Sequence, residues 1–298
     1  MTRVDAGGRF PDELPDPHLR EAKRLTIELF GRTAAWRNGA EVALGPTGQR
    51  TIFAMLAINV GRPVLRRELL DSLWPDSPPR EAINIIQTYV KRLRRSLEPE
   101  RPPRVSSGLL RRVSDGYALC ADAEAIDLGR FRSKADLARS ARRHGDDHRV
   151  WLLLDEALRI WHAPILADLP ELAGHPLARV LEDERANAVC WYAEAALSQG
   201  NADEALVVVG QAAAVSPLDE SLHAWLIRLY MAVGRRAEGL VTYHRIRQRL
   251  ARELRLDPNP ELEELHRMLK RRRTAGRRPT FQSLSSRQPV QLHRRGRS

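Results

Sequence analysis

The sequence contains few of the features on which secreted proteins, membrane proteins and enzymes depend. Its 298 residues include two cysteines, Cys120 and Cys190, and no Cys-x-x-Cys pair, which excludes a disulfide framework. No run of 18 apolar residues occurs, and the first 23 residues contain no apolar signal-peptide core, so we expect a cytoplasmic protein without membrane contact. The patterns G-x-S-x-G, H-E-x-x-H and G-x-x-x-x-G-K-[ST] are also missing. We therefore predict no enzymatic activity, no cofactor and no metal site.

Lysine is scarce, and the positive charge is unevenly distributed. Only four of the 49 basic residues are lysine, which the codon usage of a GC-rich genome would explain, although arginine also suits phosphate and guanine recognition. The formal net charge is +11 overall, but it is +8 over residues 23–121 and −5 over residues 122–269. Residues 270–298 carry ten basic and no acidic side chains. A basic region beside an acidic one indicates a polyanion-binding domain joined to a second domain.

The basic region has the pattern of a small sheet, three helices and a second hairpin. Asn38-Gly39 between two short apolar runs is typical of a type I′ turn, which needs positive φ at both positions. Asp115-Gly116 is assigned to the turn of the second hairpin. The predicted elements are a strand at 25–30, a hairpin at 34–44, a helix from an N-cap at Thr47 to Val60, helices at 65–74 and 80–97, and a hairpin at 109–119.

The third helix combines an apolar stripe with a basic one. At 100° per residue its apolar residues fall within an arc of roughly 80°: Ile83, Ile86, Val90, Leu93 and Leu97. Its amide and basic residues fall on an arc centred about 120–150° away: Asn84, Gln87, Thr88, Lys91, Arg94 and Arg95. Asparagine and glutamine can pair with adenine, and arginine and lysine with guanine. The pattern predicts a winged helix-turn-helix, with Arg111 and Arg112 on the wing in contact with DNA.

The second half is helical throughout in its pattern. Turns are expected near glycines and prolines, and Gly200 and Gly234 are 34 residues apart, the tetratricopeptide (TPR) period. The pattern therefore predicts stacked, TPR-like helical hairpins, which usually form a surface for a partner. The first 23 residues are expected to form a flexible extension, and residues 273–298 a disordered basic tail.

Several stretches together resemble one family, the Streptomyces antibiotic regulatory proteins (SARPs), over roughly residues 24–270. The most specific stretch is NIIQTYVKRLRRSL at 84–97. The others are LFG at 29–31, QRTIFAMLAINVGRPVLRRELLDSLWPDSPP at 49–79, DGYAL at 115–119, IDLGRF at 126–131, ALRIWHAPILADL at 157–169, LEDERANAV at 181–189 and PLDESLHAWLIRLYMAVGRRAEGLVTYHRIRQRLARELRLDPNPELEELHRML at 217–269.

The resemblance implies a fold and a function. It implies a mainly α protein with small β elements, in which an OmpR-type winged helix at 24–121 precedes an all-α, TPR-like bacterial transcriptional activator domain at 122–272. It also implies a nucleoid-associated activator that binds direct repeats in double-stranded promoter DNA, with protomers side by side. Such an activator recruits RNA polymerase holoenzyme through the sigma factor, usually at a secondary-metabolite (antibiotic) gene cluster.

The resemblance also assigns residues. Major-groove contact falls to Asn84, Gln87, Thr88, Lys91 and Arg95. Arg92 and Arg94 serve either phosphates or helix packing. The loop that touches polymerase in OmpR-type proteins corresponds to Pro75, Asp76, Ser77, Pro78 and Pro79. Two departures stand out: the wing has Ser114-Asp115-Gly116 in place of a Pro-Pro-Gly-like turn, and neither an ATPase nor a receiver domain is expected.

Two other functions remain open at this point. A TPR-like interaction scaffold with only non-specific DNA affinity would account for the second half, but it leaves the +8 region and the polar face of the third helix unexplained. An enzyme is the weaker alternative, because no catalytic motif is present.

Overall fold

The computed structural model describes residues 25–102, 104–172 and 174–271. The predicted extension at 1–23 and the predicted tail at 273–298 lie outside the described residues. Within the described part the chain is mainly helical with two small antiparallel sheets, as predicted. A winged-helix region comes first and a helical domain follows it.

The first sheet is formed by β1 (Leu25–Glu28), β2 (Ala34–Arg37) and β3 (Ala40–Glu41) in the order β1-β2-β3. Asn38 and Gly39 have φ of 53° and 81°, as the predicted type I′ turn requires. The predicted strand at 25–30 ends at Glu28, because the N–H groups of Leu29 and Phe30 donate to the carboxylate of Asp127.

Three helices form the centre of the winged-helix region: α1 (Thr47–Ile58), α2 (Arg66–Leu73) and α3 (Ala82–Leu97). Thr47 is the first residue of α1 and not its N-cap, since Pro46 occupies the cap position without a side-chain bond. α2 begins one residue later than predicted, because Leu65 belongs to β4 (Val64–Leu65) and pairs with Gly116. Leu65, the first residue of the helix predicted at 65–74, is 46% exposed.

The wing consists of β5 (Leu110–Val113) and β6 (Gly116–Leu119), with β6 lying between β4 and β5. The turn differs from the prediction by one residue. Its positive φ belongs to Ser114, at 48°, whereas Gly116 is already paired in β6 with Val113 and Leu65.

The helical domain begins with a short 3₁₀ turn, Ala123–Ala125, and contains seven α-helices in its described part. They are α4 (Asp127–Arg143), α5 (Asp147–Ile160), α6 (Pro176–Ser198), α7 (Ala202–Val215), α8 (Glu220–Ala232), α9 (Arg236–Glu253) and α10 (Pro260–Lys270). Gly200 and Gly234, with φ near 80°, make the turns of the α6–α7 and α8–α9 hairpins, as their spacing predicted.

The two regions share one hydrophobic core. Phe30, from the winged-helix region, packs against Phe131 and Trp161 of the helical domain with ring centroids 6.4 and 4.4 Å away. Polar contacts surround this cluster. The Asp168 carboxylate accepts from Thr33 N at 2.8 Å and from Arg50 Nε at 2.9 Å. The helical domain is therefore packed directly against the winged-helix region.

Candidate nucleic-acid interface

The third helix, α3, has the two surfaces that its periodicity predicted. Its inner face is buried and consists of Ala82, Ile86, Val90, Leu93 and Leu97. Ile83 does not belong to it, contrary to prediction, since it is 46% exposed. At 100° per residue Ile83 lies at one edge of the apolar arc, where the core does not reach in the first turn. Apolar burial thus anchors the helix and leaves its opposite face in solvent.

The outer face of α3 carries the side chains assigned to major-groove contact. All five are exposed: Asn84, Gln87, Thr88, Lys91 and Arg95. Arg92, which was assigned to phosphates or helix packing, is exposed beside them. Thr88 Oγ1 donates to the carbonyl oxygen of Asn84 at 2.8 Å, so its hydroxyl is left to act as an acceptor and its methyl group as an apolar contact. The exposed face therefore offers amide and cationic donors together with one small side chain.

Arg94 differs from the other cations of the helix. Its Nε donates to Leu110 O at 2.9 Å, and its guanidinium lies 5.8 Å from the ring centroid of Tyr117. Burial lowers the pKa of Arg94, and the nearby positive charges of Arg101 and Arg112 lower it further. Arg94 was assigned either to phosphate contact or to helix packing. The contacts described here are packing contacts, which attach α3 to the wing. Arg92, in contrast, is exposed on the flank of the helix.

The wing presents Arg111 and Arg112 of β5, and both residues are exposed. Arg111 Nε donates to Gly108 O at 3.3 Å, and Arg112 pairs in register with Tyr117. At the tip of the wing, the Asp115 carboxylate forms an ion pair with Arg66 at the start of α2. This pairing reduces the repulsion that an acidic wing turn would otherwise exert on DNA.

A buried glutamate, which the sequence reasoning missed, shapes the base of the wing. Glu98 follows α3 directly, and its side chain is 4% exposed. Its Oε1 accepts from Gly108 N at 2.8 Å and from Leu109 N at 3.0 Å, and its other oxygen accepts from the Ser107 hydroxyl. The sequence contains one signal for this role. An acidic residue at a helix C-terminus interacts unfavourably with the helix dipole, so Glu98 at the end of α3 indicates a different structural role for its carboxylate.

The loop between α2 and α3 is exposed from Pro75 to Pro79. Pro79 O accepts from Ala82 N at 2.9 Å, which starts α3, and the preceding Trp74 is half-buried. The middle of the loop, Asp76 and Ser77, makes no side-chain hydrogen bond to the described residues. The loop therefore presents five exposed residues before α3 begins at Ala82.

Metal ligands and reactive thiols are the other groups that could carry chemistry. No group of three or more His, Cys, Asp or Glu side chains able to hold a metal ion occurs in the part of the chain that the structure describes. No helix in that part is long and apolar enough to cross a membrane. Both cysteines are free and half-buried, and burial raises the pKa of Cys190 to about 12, so its thiolate is disfavoured.

Two family models match the chain in sequence order. Residues 39–119 match the family described as "Transcriptional regulatory protein, C terminal", and residues 126–270 match the "Bacterial transcriptional activator domain". The first range contains α1–α3 and the wing, and the second contains α4–α10.

Named relatives align over most of the chain. "Regulatory protein AfsR" of Streptomyces coelicolor is 34% identical over 266 residues, which cover 88% of this chain and 26% of AfsR. "Transcriptional regulator RedD" of the same species is 32% identical over 218 residues, which cover 73% of this chain and 62% of RedD. The chain thus spans about a quarter of AfsR and less than two thirds of RedD.

A solved structure has the same fold. It is titled "Mycobacterium tuberculosis EmbR in complex with low affinity phosphopeptide", and it superposes with a TM-score of 0.70 at 32% identity, covering 83% of this chain and 65% of the other. Because both domain matches occur in this order and the named regulators align across most of the chain, the chain belongs to the SARP family of transcriptional regulators.

Proposed function

We propose that this protein is a transcriptional activator that reads promoter DNA with the outer face of α3. The observation that carries the proposal is the division of α3 into a fully buried apolar face and an exposed face of amides and cations. Buried packing fixes the angle of the helix, and the exposed donors match the hydrogen-bonding edges of adenine and guanine in a major groove. The wing adds arginines at the flank.

The finer parts of the proposal rest on the family. SARP membership supports binding to direct repeats by protomers side by side, recruitment of RNA polymerase holoenzyme through sigma, and action at the nucleoid. AfsR and RedD are named as regulators, and this supports a regulatory role. The family resemblance supports a secondary-metabolite gene cluster as the target. The alternative is an interaction scaffold that binds DNA without sequence preference. Comparing the affinities for target and random DNA distinguishes the activator from this scaffold.

Replacing Lys91 or Arg95 with alanine should weaken binding to target DNA by about 1–3 kcal/mol, with a smaller effect on random DNA, if these side chains touch base edges. Gel-shift titrations against a footprinted site near the protein's own gene, at several salt concentrations, measure both. Arg252→Ala on α9 is the matched control, since its side chain is 83% exposed and lies outside the winged-helix region. Unchanged target preference in both variants would remove this face from the reading mechanism. A wild-type protein without any target preference would favour the scaffold.

Substitutions in the Pro75–Pro79 loop should leave DNA affinity unchanged and reduce transcription. The side chains of Asp76 and Ser77 are exposed and make no hydrogen bond to the described residues, so Asp76→Ala and Ser77→Ala remove no described contact. A residue central to an interface contributes about 1 kcal/mol or more, so activated transcription with purified holoenzyme should fall roughly fivefold or more. A parallel loss of DNA binding would indicate a folding role for the loop, and unchanged transcription would exclude it as a polymerase contact.

A further inference from the structure

A basic cleft separates the end of α3 from the base of the wing. Its volume is about 620 Å³, and four arginines line it: Arg94, Arg101, Arg111 and Arg112. The remaining wall includes the Ser106–Gly108 segment, which leads into β5. The cleft is therefore bounded by α3, the wing and the segment that connects them.

The positive charge of the cleft exceeds the negative charge beside it. Glu98 is the acidic neighbour of Arg94 and Arg101, with Arg101 Nε 3.6 Å from its carboxylate. That carboxylate is already occupied by the N–H groups of Gly108 and Leu109 and by the Ser107 hydroxyl. One buried carboxylate, committed to holding the loop, stands against four guanidinium groups.

Arg94 and Arg101 are held in place, yet both keep N–H groups that can donate to a ligand. Arg94 is fixed through its Nε on Leu110 O, which leaves its two Nη groups without a hydrogen-bond partner among the described residues. Arg101 is fixed by a hydrogen bond from one Nη to Val105 O. Arg112 makes no hydrogen bond or ion pair to the described residues. Guanidinium groups that are oriented in advance lose little side-chain entropy when they bind an anion.

We propose that the cleft holds a phosphate of the DNA backbone beside the bases that α3 contacts, with Arg101 and Arg112 as donors. This inference rests on the proposed function and adds Arg101, which lies in the segment after α3 and outside the predicted DNA-binding set. A phosphate gripped between the helix and the wing would fix the register of α3 along the groove without carrying sequence information.

Salt dependence of DNA binding tests the cleft. Loss of one phosphate contact should reduce the slope of log K against log salt by about 0.9 and weaken binding to target and random DNA by a similar factor. We expect this result for Arg101→Ala and for Arg112→Ala, with target preference unchanged and with Arg252→Ala matching wild type. Urea unfolding of Arg101→Ala reports any damage to the Glu98 loop. If its slope is unchanged, or if only target binding falls, Arg101 does not bind the backbone.

Uncharged analogues of the DNA phosphate can show which phosphate Arg101 contacts. Methylphosphonate placed at single positions of the target should weaken wild-type binding several-fold at the contacted phosphate, and Arg101→Ala should be insensitive at that same position. Equal sensitivity in both proteins at every position overturns the proposal. Titration with inorganic phosphate distinguishes a site for a free anion from a site for DNA phosphate. Tight binding of inorganic phosphate, together with an unchanged DNA salt slope in Arg101→Ala, would assign the cleft to a small anion. Absence of target preference in the wild type would instead contradict the proposed function. The salt slope on random DNA would still show whether Arg101 in the cleft binds a phosphate.

Discussion

Asp127→Ala is expected to lower the free energy of unfolding by about 3–5 kcal/mol. Asp127 is 2% exposed and is the first residue of α4, yet its Oδ2 accepts the N–H groups of Leu29 at 2.8 Å and Phe30 at 2.9 Å. Those two residues follow β1 in the winged-helix region and are themselves buried. Alanine would leave both N–H groups without a partner inside the shared core, and each unsatisfied buried donor costs about 1–3 kcal/mol.

Two matched variants make this measurement specific. Asp127→Asn keeps one carbonyl oxygen for the two N–H groups but loses the acceptor that faces Leu128 N. It should therefore lower the free energy of unfolding by less than Asp127→Ala. Asp136→Ala, on the same helix, removes an exposed i,i+3 ion pair with Arg139 and should cost about 1 kcal/mol or less. Urea denaturation at constant pH ranks the three. A loss for Asp127→Ala no greater than that for Asp136→Ala would show that the carboxylate does not hold the two regions together.

Local pattern was enough for the parts of the fold that depend on short-range chemistry. Asn38-Gly39 specified its turn through backbone sterics, and the apolar spacing of α3 specified which face is buried. Gly200 and Gly234 fell at the turns of two helical hairpins because positive φ is needed there. Each turn, and each step of the apolar spacing, depends on residues within a few positions of each other.

Features set by distant partners could not be predicted. Leu65 and Ile83 belong to apolar patterns, but whether another element covers them depends on the packing of the whole domain. The partners of Asp127 are 97 and 98 positions away, and those of Asp168 are 118 and 135 positions away. The candidate site also has one part that the sequence predicts and one that it does not. The outer face of α3 follows from the periodicity of the helix, whereas the cleft at Arg101 depends on the position of the wing.

Gly116→Ala is the second change with a large expected effect. Gly116 is in the central strand of the wing sheet, paired with Leu65 on one side and Val113 on the other. A Cβ at this position would lie 2.2 Å from the carbonyl oxygen of Val64, which belongs to the backbone and cannot rotate away. Relief requires β4 and β6 to separate, and we expect the free energy of unfolding to fall by roughly 2–4 kcal/mol. Because β6 carries β5, displacement of the wing should also weaken DNA binding.

Gly210→Ala is the matched control for this prediction. Gly210 is in α7, an added Cβ there meets nothing within 4 Å, and alanine in a helix interior is more favourable than glycine by up to about 1 kcal/mol. The same chemical change should therefore slightly stabilise the protein at position 210 and destabilise it at position 116, with DNA affinity reduced only in the second case. Urea denaturation and gel-shift titration measure the two effects. A Gly116→Ala variant with wild-type stability would mean that β4 is not paired tightly with the wing. Normal DNA affinity in a destabilised Gly116→Ala variant would separate the wing from DNA recognition, leaving the outer face of α3 as the part of the protein that binds.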